Sequence, residues 1–291
     1  MNLFKKSRVL ASAVALMLGV SMIAGCGGSN DKQADTTQKS IATIEGKVSA
    51  SGSTALLPLL KPAQEEFHKK YDKVTVNIAG GGSFTGLNQV AEGTVQIGNA
   101  DVSLPADYKE KGLVDHKVVV MPFVFIANKD VAVENLSAEQ TIDILTGKIT
   151  NWQQVGGADQ AITIIHRSKS SGSRATISEV VLKGANFTDK AVIQDSNGAV
   201  KAAIANTPGA IGYVDAPYAD ASVKTLSFDG VKYTPQAVMD GKYPVYSYGH
   251  MYTKGEPTGA VKAFIDFVMS PEFQDAYVEK TGYIPVTKVK Q

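Results

Sequence analysis

The sequence of 291 residues has little cysteine, little histidine and no excess of charge of either sign. Its one cysteine, Cys26, excludes an intramolecular disulfide. The 29 lysines and arginines are balanced by 28 aspartates and glutamates, so the chain as a whole has no positive field that would attract nucleic acid. The four histidines lie far apart and form no zinc-binding pattern. We therefore expect no metal, no cofactor and no nucleic-acid partner.

Long apolar runs are also scarce, and the clearest one lies near the N-terminus. Residues 9–23 are predominantly apolar, follow the basic residues Lys5, Lys6 and Arg8, and end in small side chains. This order is typical of a secretory signal peptide. The run is short for a membrane span, so the signal peptide is the better interpretation. The sequence predicts a signal peptide over residues 1–25 and export of the remaining chain.

The predicted signal peptide leads into the stretch IAGC, residues 23–26, which resembles the lipobox of bacterial lipoproteins. The resemblance implies cleavage before Cys26 and diacylation of that cysteine; a plain signal peptide with an incidental cysteine is the alternative. Residues 26–43 are polar and small and cannot bury enough apolar surface to fold, which predicts a flexible tether. We expect a lipid-anchored protein on the extracytoplasmic face of the cytoplasmic membrane.

After the tether, short β-branched runs alternate with amphipathic segments, which predicts an α/β fold. The candidate strands include residues 73–80, 95–100, 117–128, 161–166 and 210–215. A helix is predicted after residue 54 because five apolar residues recur at helical spacing: Leu56, Leu60, Ala63, Phe67 and Tyr71. Pro58 fits the first turn of this helix, whereas Pro62 indicates a kink or a later start.

One pattern of hydroxyl residues and glycines occurs three times, each time at a predicted strand-to-helix junction. The stretches are SGST (51–54), GGGSFTG (80–86) and SSGS (170–173). Hydroxyl groups cap helices, glycines allow a ligand to approach the backbone, and the N–H groups and dipole of a helix start favour an anion. Capping alone explains any one junction. Three junctions, with Arg167 before the third, predict an anion site.

Asp101 is a further candidate, because it follows three small residues at the end of a predicted strand, in the stretch GNAD. An aspartate in such a position often caps a helix or forms a turn. The functional interpretation is an acceptor at the mouth of a cleft, and the residue itself does not decide between the two.

Six stretches, taken in order, resemble the phosphate-binding lipoproteins of bacterial phosphate-specific ABC transporters: GSTALLPL, GGGSFTGL, GNADVSL, HRSKSSGSRATI, NTPGAIGYV and GYIPV. The resemblance spans residues 45–287 and implies a two-lobed type II periplasmic-binding-protein fold, with two crossover hinge segments and a ligand cleft between the lobes. We place the crossings near residues 125–128 and 246–251. Lobe I then comprises residues 44–126 plus 249–291, and lobe II comprises residues 127–248.

The resemblance also implies nine residues that bind phosphate through hydroxyl groups, backbone N–H groups, one carboxylate and one guanidinium: Ser53, Thr54, Ala55, Ser83, Asp101, Arg167, Ser171, Gly172 and Ser173. Ser173 stands where the family has threonine, and it keeps the hydroxyl. Such a set suits a buried dianion, which must be almost fully hydrogen-bonded. Arg174 either completes the arginine shell or pairs with a carboxylate elsewhere.

The function implied by the resemblance is capture of inorganic phosphate and delivery to the permease subunits and ATPase of an ABC transporter, by a monomer without enzymatic activity. The same fold could instead hold sulfate, molybdate or tungstate, but these anions have no proton to donate to Asp101. A phosphate sensor or a surface adhesin is a further alternative. A remote one is an exported serine hydrolase using Ser83 or Ser171, although GGSFT lacks the last glycine of the G-x-S-x-G motif.

Overall fold

The computed structural model describes residues 44–289, so the predicted signal peptide, the tether and Cys26 lie outside the described residues. The strands are β1 Gly46–Gly52, β2 Val74–Gly80, β3 Ile97–Ala100, β4 Leu113–Ala127, β5 Asn135–Leu136, β6 Thr163–Arg167, β7 Val192–Gln194, β8 Ala210–Asp215, β9 Lys224–Thr225, β10 Ser227–Phe228 and β11 Tyr246–Lys254. The helices are α1 Leu57–Lys70, α2 Ser83–Glu92, α3 Ala138–Thr146, α4 Gly172–Val180, α5 Asn197–Asn206, α6 Pro235–Met239, α7 Gly259–Met269 and α8 Pro271–Phe273. Within residues 44–289, no helix combines the length and apolarity that a membrane crossing requires.

The main sheet is mixed and has the strand order β2-β1-β3-β11-β4-β8-β6-β7, with β9 pairing to β4. Strand β1 is parallel to both β2 and β3, and β6 is parallel to both β7 and β8. Strands β11 and β4 run antiparallel between these two parallel groups. We call β1, β2, β3 and β11 the first half of the sheet, and β6, β7 and β8 the second half. Helices follow the parallel strands, as expected for an α/β fold.

Strand β4 joins the two halves of the sheet. Its residues up to Pro122 pair with β11, and its residues from Phe123 onward pair with β8. The change of partner thus falls slightly before the predicted first crossing, and Tyr246, which pairs with Pro122, lies in the predicted second crossing. All described residues belong to one compact unit. The lobe boundaries given above stay a prediction.

The first predicted helix, α1, forms as expected, but it continues through Pro62. Pro58 lies in its first turn, and the interpretation of Pro62 as a late start is wrong. Phe67 of α1 is fully buried, and its ring centroid lies 5.2 Å from that of Phe264 and 5.5 Å from that of Phe267, both on α7. This packing holds the C-terminal part of α1 against α7.

Candidate functional site

The three hydroxyl-rich stretches lie where the sequence predicts them, between a parallel strand and the helix that follows it. Residues 51–54 connect β1 to α1, residues 80–86 connect β2 to α2, and residues 170–173 connect β6 to α4. Because β1 and β2 are parallel, their carboxyl ends lie at the same edge of the sheet. The fold therefore brings the first two junctions together by its topology alone.

Helix capping explains only one of the three junctions. The hydroxyl of Ser171 caps α4 by accepting a hydrogen bond from the backbone N–H of Arg174 at 3.2 Å. Helices α1 and α2 have no side-chain cap. Ser83, the first residue of α2, instead directs its hydroxyl to the carboxylate of Asp101. The hydroxyl groups of the first two junctions thus make contacts other than helix capping.

Asp101 follows β3 and connects the two halves of the sheet. Its side chain is 1% exposed, and it accepts hydrogen bonds from the hydroxyls of Ser83 on Oδ1 and of Ser173, at 2.7 Å, on Oδ2. Its backbone carbonyl accepts from the hydroxyl of Thr176 at 3.1 Å. Since Ser173 and Thr176 belong to α4 of the second half, Asp101 is an acceptor at the meeting point of both halves, which fits the functional interpretation of this residue.

Two glycines allow the second and third junctions to meet. The N–H of Phe84 donates to the carbonyl of Ser170 at 3.1 Å. A Cβ atom on Gly82, whose φ is +94°, would lie 2.5 Å from that carbonyl oxygen. A Cβ atom on Gly172 would lie 2.3 Å from Asp101 Oδ1 and from the hydroxyl oxygen of Ser83. Both glycines are therefore required by close approach across the cleft.

Arg167 ends β6 and is a buried cation, 1% exposed. Its Nη2 donates to the carbonyl of Asp195 at 2.9 Å, and its Nε has no hydrogen-bond partner among the described residues. Burial lowers the pKa of Arg167, and the negative charge of Asp101 opposes this effect. The guanidinium nevertheless stays protonated at physiological pH, so it retains N–H donors suited to an anion.

Arg174 adopts an arrangement that neither expectation describes. Its Nη1 donates to the carbonyl of Arg167 at 3.0 Å and lies 2.8 Å from Nδ1 of His166. Its guanidinium carbon lies 4.5 Å from the ring centroid of Phe187. Burial lowers the pKa of His166, a hydrogen bond to the carbonyl of Arg167 raises it, and the charge of Arg174 lowers it. Arg174 thus supports the backbone of Arg167.

The first junction is buried and already carries several internal hydrogen bonds. The hydroxyl of Ser53 accepts from the N–H of Ala55 at 3.1 Å, so this N–H, predicted to face the ligand, is bonded within the loop. The carbonyl of Thr54 accepts from the hydroxyl of Tyr218 at 2.5 Å. The hydroxyl of Thr54 accepts from the backbone and side-chain N–H groups of Asn197. The second half therefore holds Thr54 at two points.

Sequence reasoning missed Asn197, Tyr218, Asp215 and Tyr283, which surround the predicted residues. Asn197 starts α5 after the capping residue Ser196, so the stretch DSNGAV is a fourth strand-to-helix junction that the hydroxyl-and-glycine pattern could have indicated. Asp215 ends β8 as Asp101 follows β3. The hydroxyl of Tyr283 donates to the carbonyl of the residue after Thr54. These residues enlarge the set of polar groups around the cleft.

Asp215 is a second buried carboxyl group in this region. It is fully buried, and both carboxyl oxygens lack a hydrogen-bond partner among the described residues. Burial raises the pKa of Asp215 well above its ordinary value; Asp101 adds to this effect, whereas the Tyr283 hydroxyl opposes it. Among residues 44–289, no cluster of three or more potential ligands is arranged to hold a metal ion.

The sequence profile of the PBP superfamily domain matches residues 34–272. The chain is 41% identical to the phosphate-binding protein PstS of Bacillus subtilis (strain 168) over 291 residues, covering 98% of this chain and 96% of that protein. It is 29% identical to PstS of Borreliella burgdorferi, with 82% and 90% covered.

Solved structures of phosphate-binding proteins are also similar to this chain. A substrate-binding protein assigned to a phosphate ABC transporter, from Clostridium perfringens and with bound phosphate, has 35% identity and a TM-score of 0.80, with 83% of this chain and 100% of that chain covered. An ABC-type phosphate transport receptor from Vibrio cholerae, at 24% identity and a TM-score of 0.67, has the same fold, with 81% and 99% covered. The predicted type II periplasmic-binding-protein fold is thus confirmed. The chain belongs to the PBP superfamily and, within it, to the family of PstS phosphate-binding proteins.

Proposed function

We propose that this protein captures inorganic phosphate outside the cytoplasm and delivers it to the permease of an ABC transporter. The observation that carries the proposal is the burial of Arg167 and Asp101 among the hydroxyl-rich starts of three helices. A cation, a carboxylate and hydroxyl donors in one dry site suit an anion that both accepts and donates hydrogen bonds. The names of the relatives support the same ligand.

In the proposed site, the charge of Arg167 and the donors at the starts of α1, α2 and α4 bind the phosphate oxygens. Asp101 accepts a hydrogen bond from the hydroxyl group that phosphate retains near neutral pH. The proposed ligand residues are those predicted from the sequence: Ser53, Thr54, Ala55, Ser83, Asp101, Arg167, Ser171, Gly172 and Ser173. When phosphate binds, the hydroxyls of Ser83 and Ser173, which donate to Asp101 in this structure, are able to turn toward the ligand.

A competing function is binding of sulfate or another fully ionised oxyanion by the same fold. Sulfate has no proton for Asp101, and a site built for a substrate hydrogen bond can reject an analogue lacking it by ~10⁴–10⁵-fold. Displacement of labelled phosphate tests this. We expect arsenate, which shares the shape and the proton, to compete, and sulfate to compete weakly. Asp101→Asn should weaken phosphate binding and admit sulfate, because an amide can donate to the anion.

Asp143→Asn is the matched control. Asp143 lies on α3 and forms a surface ion pair with Lys148, which follows the helix. It should bind phosphate and reject sulfate as the unaltered protein does. Ready displacement by millimolar sulfate, or full discrimination in Asp101→Asn, would show that Asp101 is not the selecting residue and would remove the main physical support for phosphate.

Hydrolysis of a phosphate ester or another ester is the alternative from a different functional class. The hydroxyl of Ser83 contacts Asp101, and that of Ser171 accepts from a backbone N–H. Among the described residues, neither hydroxyl is hydrogen-bonded to a histidine, which is the arrangement that would activate a serine nucleophile. The relatives are named binding proteins. Stoichiometric phosphate binding in calorimetry, without turnover of an ester substrate, is the expected result.

We further propose that the mature protein is a monomer anchored through diacylated Cys26. Two acyl chains give stable membrane attachment where one does not. In Cys26→Ser, the protein should leave the membrane fraction and lose the mass of the lipid. Retention in the membrane at unchanged mass would contradict the anchor.

A sensor or adhesin would bind phosphate without supporting its uptake. Phosphate uptake by cells that carry only this binding protein therefore distinguishes these roles from transport.

A further inference from the structure

Thr54 and Asn197 form a buried hydrogen-bonded pair between the two halves of the sheet, each taken together with the helices that pack on it. Thr54 follows β1 of the first half and is 6% exposed, whereas Asn197 is fully buried at the start of α5. Helix α5 belongs to the second half, because its residues Val200 and Ile204 pack in the core formed with β6 and β8. The pair therefore exists only where the two halves meet.

The geometry determines the direction of the hydrogen bonds at the Thr54 hydroxyl. Its Oγ1 atom lies 3.3 Å from the backbone nitrogen of Asn197 and 3.2 Å from the side-chain Nδ2. Both of these groups are donors. A hydroxyl has two acceptor lone pairs and a single proton, so both acceptor positions are occupied and only the proton remains for another partner.

The side-chain amide of Asn197 is held in the orientation that this arrangement needs. Its Oδ1 accepts from the N–H of Asp215, the last residue of β8, at 3.1 Å. A flipped amide would bring its NH₂ group against this N–H, which leaves a buried donor unpaired. The amide nitrogen therefore faces Thr54. The hydroxyl of Tyr218 donates to the Thr54 carbonyl at 2.5 Å and holds the backbone of the same residue.

We propose that Asn197 is a positioning residue that makes the Thr54 hydroxyl a dedicated hydrogen-bond donor to the bound anion. This inference rests on the proposed function. Because the pair spans the two halves, the donor is oriented only when the cleft closes, and closure and anion binding strengthen each other. Asn197 itself need not touch the ligand. A purely structural role for Asn197, in starting α5 or joining the halves, is the alternative.

A double-mutant cycle with Thr54 separates the two roles, since a positioning residue acts through the hydroxyl that it orients. Asn197→Ala should raise the phosphate Kd about ten- to a hundredfold, as expected for the loss of one well-oriented hydrogen bond to a charged group. In Thr54→Val, which lacks the hydroxyl, the same change should raise Kd less than about threefold. In Thr54→Ser, which keeps the hydroxyl, the full effect should return.

Titration calorimetry gives Kd for each variant, and thermal melting without phosphate reports any structural effect. Asn206→Ala is the control on α5, because its exposed amide donates to Ala202 within the helix, away from the cleft. It should not change Kd. Equal effects of Asn197→Ala in the unaltered and Thr54→Val proteins would overturn the inference. Failure of the unaltered protein to bind phosphate would instead overturn the proposed function, on which the inference rests.

A second variant keeps the test decisive if Asn197→Ala does not fold. Asn197→Asp has the same shape, but its carboxylate accepts a hydrogen bond from the Thr54 hydroxyl, which then no longer donates to the anion. The carboxylate also adds negative charge to the site. We expect the phosphate Kd to rise by more than about a hundredfold, because a negative charge then lies beside the anion. The ligand-free melting temperature should fall, since a buried carboxylate is costly unless it is paired. A phosphate Kd for Asn197→Asp within about twofold of the unaltered value would contradict the inference.

Discussion

At the scale of single residues, Arg167 and Ser171 occupy different positions in one loop. Arg167 is a buried cation with N–H donors left over, whereas the Ser171 hydroxyl already caps α4. Arg167→Ala removes the counter-charge of the anion and should cost about 3–5 kcal/mol of phosphate binding. Ser171→Ala should cost about 1–2 kcal/mol of binding. It should also lower the ligand-free melting temperature, because α4 loses its cap. Titration calorimetry and thermal melting measure both effects.

Lys169→Ala serves as the control for charge, because Lys169 is an exposed cation two residues from Arg167. Its removal should change the phosphate Kd by less than about threefold in 0.15 M salt, where exposed charges are screened. Equal losses of phosphate affinity in Arg167→Ala and Ser171→Ala, or a larger loss in Ser171→Ala, would mean that Arg167 does not contact the anion. Arg174 would then be the better candidate.

Asp215 allows a prediction about pH. Burial raises its pKa in the folded protein well above the ordinary value of 3.8, so folding favours the protonated form. The stability that this provides is complete below pH 3.8 and is lost as the pH rises through the raised pKa. Asp215→Asn stays neutral at every pH. The free energy of unfolding of Asp215→Asn, measured by urea denaturation without phosphate, should therefore rise relative to that of the unaltered protein as the pH increases above 3.8.

Asp220→Asn is the opposite control. Asp220 is exposed, and its hydrogen bonds with Lys201 and Ser222 lower its pKa, so its ionised form is the one that folding favours. The free energy of unfolding of Asp220→Asn should fall slightly relative to that of the unaltered protein as the pH rises and Asp220 ionises. A difference between Asp215→Asn and the unaltered protein that does not vary with pH would mean that Asp215 titrates as it does in the unfolded chain.

The candidate residues also differ in how far the sequence could predict them. Ser83, Asp101 and Ser173 are in direct contact, and the motifs that carry them made them candidates. Asn197 and Asp215 were missed because their roles depend on Thr54, 143 residues before Asn197, and on how the halves of the sheet meet. Hydroxyl and glycine patterns indicate which loops can bind an anion, but they do not indicate which distant side chains orient those loops.

At the scale of elements, hydrophobic patterns predicted the strands and helices well, and tertiary contacts decided the exceptions. Helix α1 continues through Pro62 although an interior proline costs about 3 kcal/mol, because Leu60 and Phe67 on either side are fully buried in the core. Strand β4 begins at Leu113, earlier than predicted, since its first residues pair with the end of β11. That pairing joins segments far apart in the sequence, which local patterns cannot reveal.

The start of α4 carries a prediction about close approach. Because a Cβ atom on Gly172 would lie 2.3 Å from Asp101 Oδ1 and from the Ser83 hydroxyl oxygen, Gly172→Ala should prevent α4 from reaching the first half. Overpacking of this kind costs about 1–3 kcal/mol. The phosphate Kd should rise about ten- to a hundredfold in titration calorimetry. Melting without phosphate should change little, because an open cleft leaves room for the Cβ atom and alanine suits a helix.

Gly198→Ala is the matched control, because Gly198 also lies in the first turn of a helix, α5, and a Cβ atom there would meet Tyr218 Cε1 at 3.8 Å and the Ser196 hydroxyl oxygen at 4.0 Å. These are ordinary contacts, so phosphate binding should be unchanged and the helix slightly more stable. Unchanged affinity in Gly172→Ala would show that the approach of α4 to Asp101 is not part of the bound state.

At the scale of the whole molecule, the closed cleft depends on a few polar contacts between the halves of the sheet. They include Ser173 to Asp101, Phe84 to Ser170, and Asn197 and Tyr218 to Thr54. These contacts bury Arg167 and Asp101, whose transfer from water is costly unless hydrogen bonds compensate for it. An anion that bonds to Arg167 supplies part of this compensation, and ligand binding should therefore favour the closed arrangement.

The last prediction is that phosphate shifts the protein in solution toward this closed arrangement. Residues 44–289 have, when compact, a radius of gyration of about 18 Å, and opening of the cleft increases it. In small-angle X-ray scattering of the unlipidated Cys26→Ser protein, phosphate should reduce the radius of gyration, whereas sulfate should not. Phosphate at 1,000 times its Kd should also raise the unfolding free energy by about 4 kcal/mol. Gly172→Ala at saturating phosphate should stay more open, because its Cβ atom opposes contact with Asp101. An unchanged radius in the unaltered protein, alongside tight phosphate binding in calorimetry, would mean that the cleft is already closed before the anion enters.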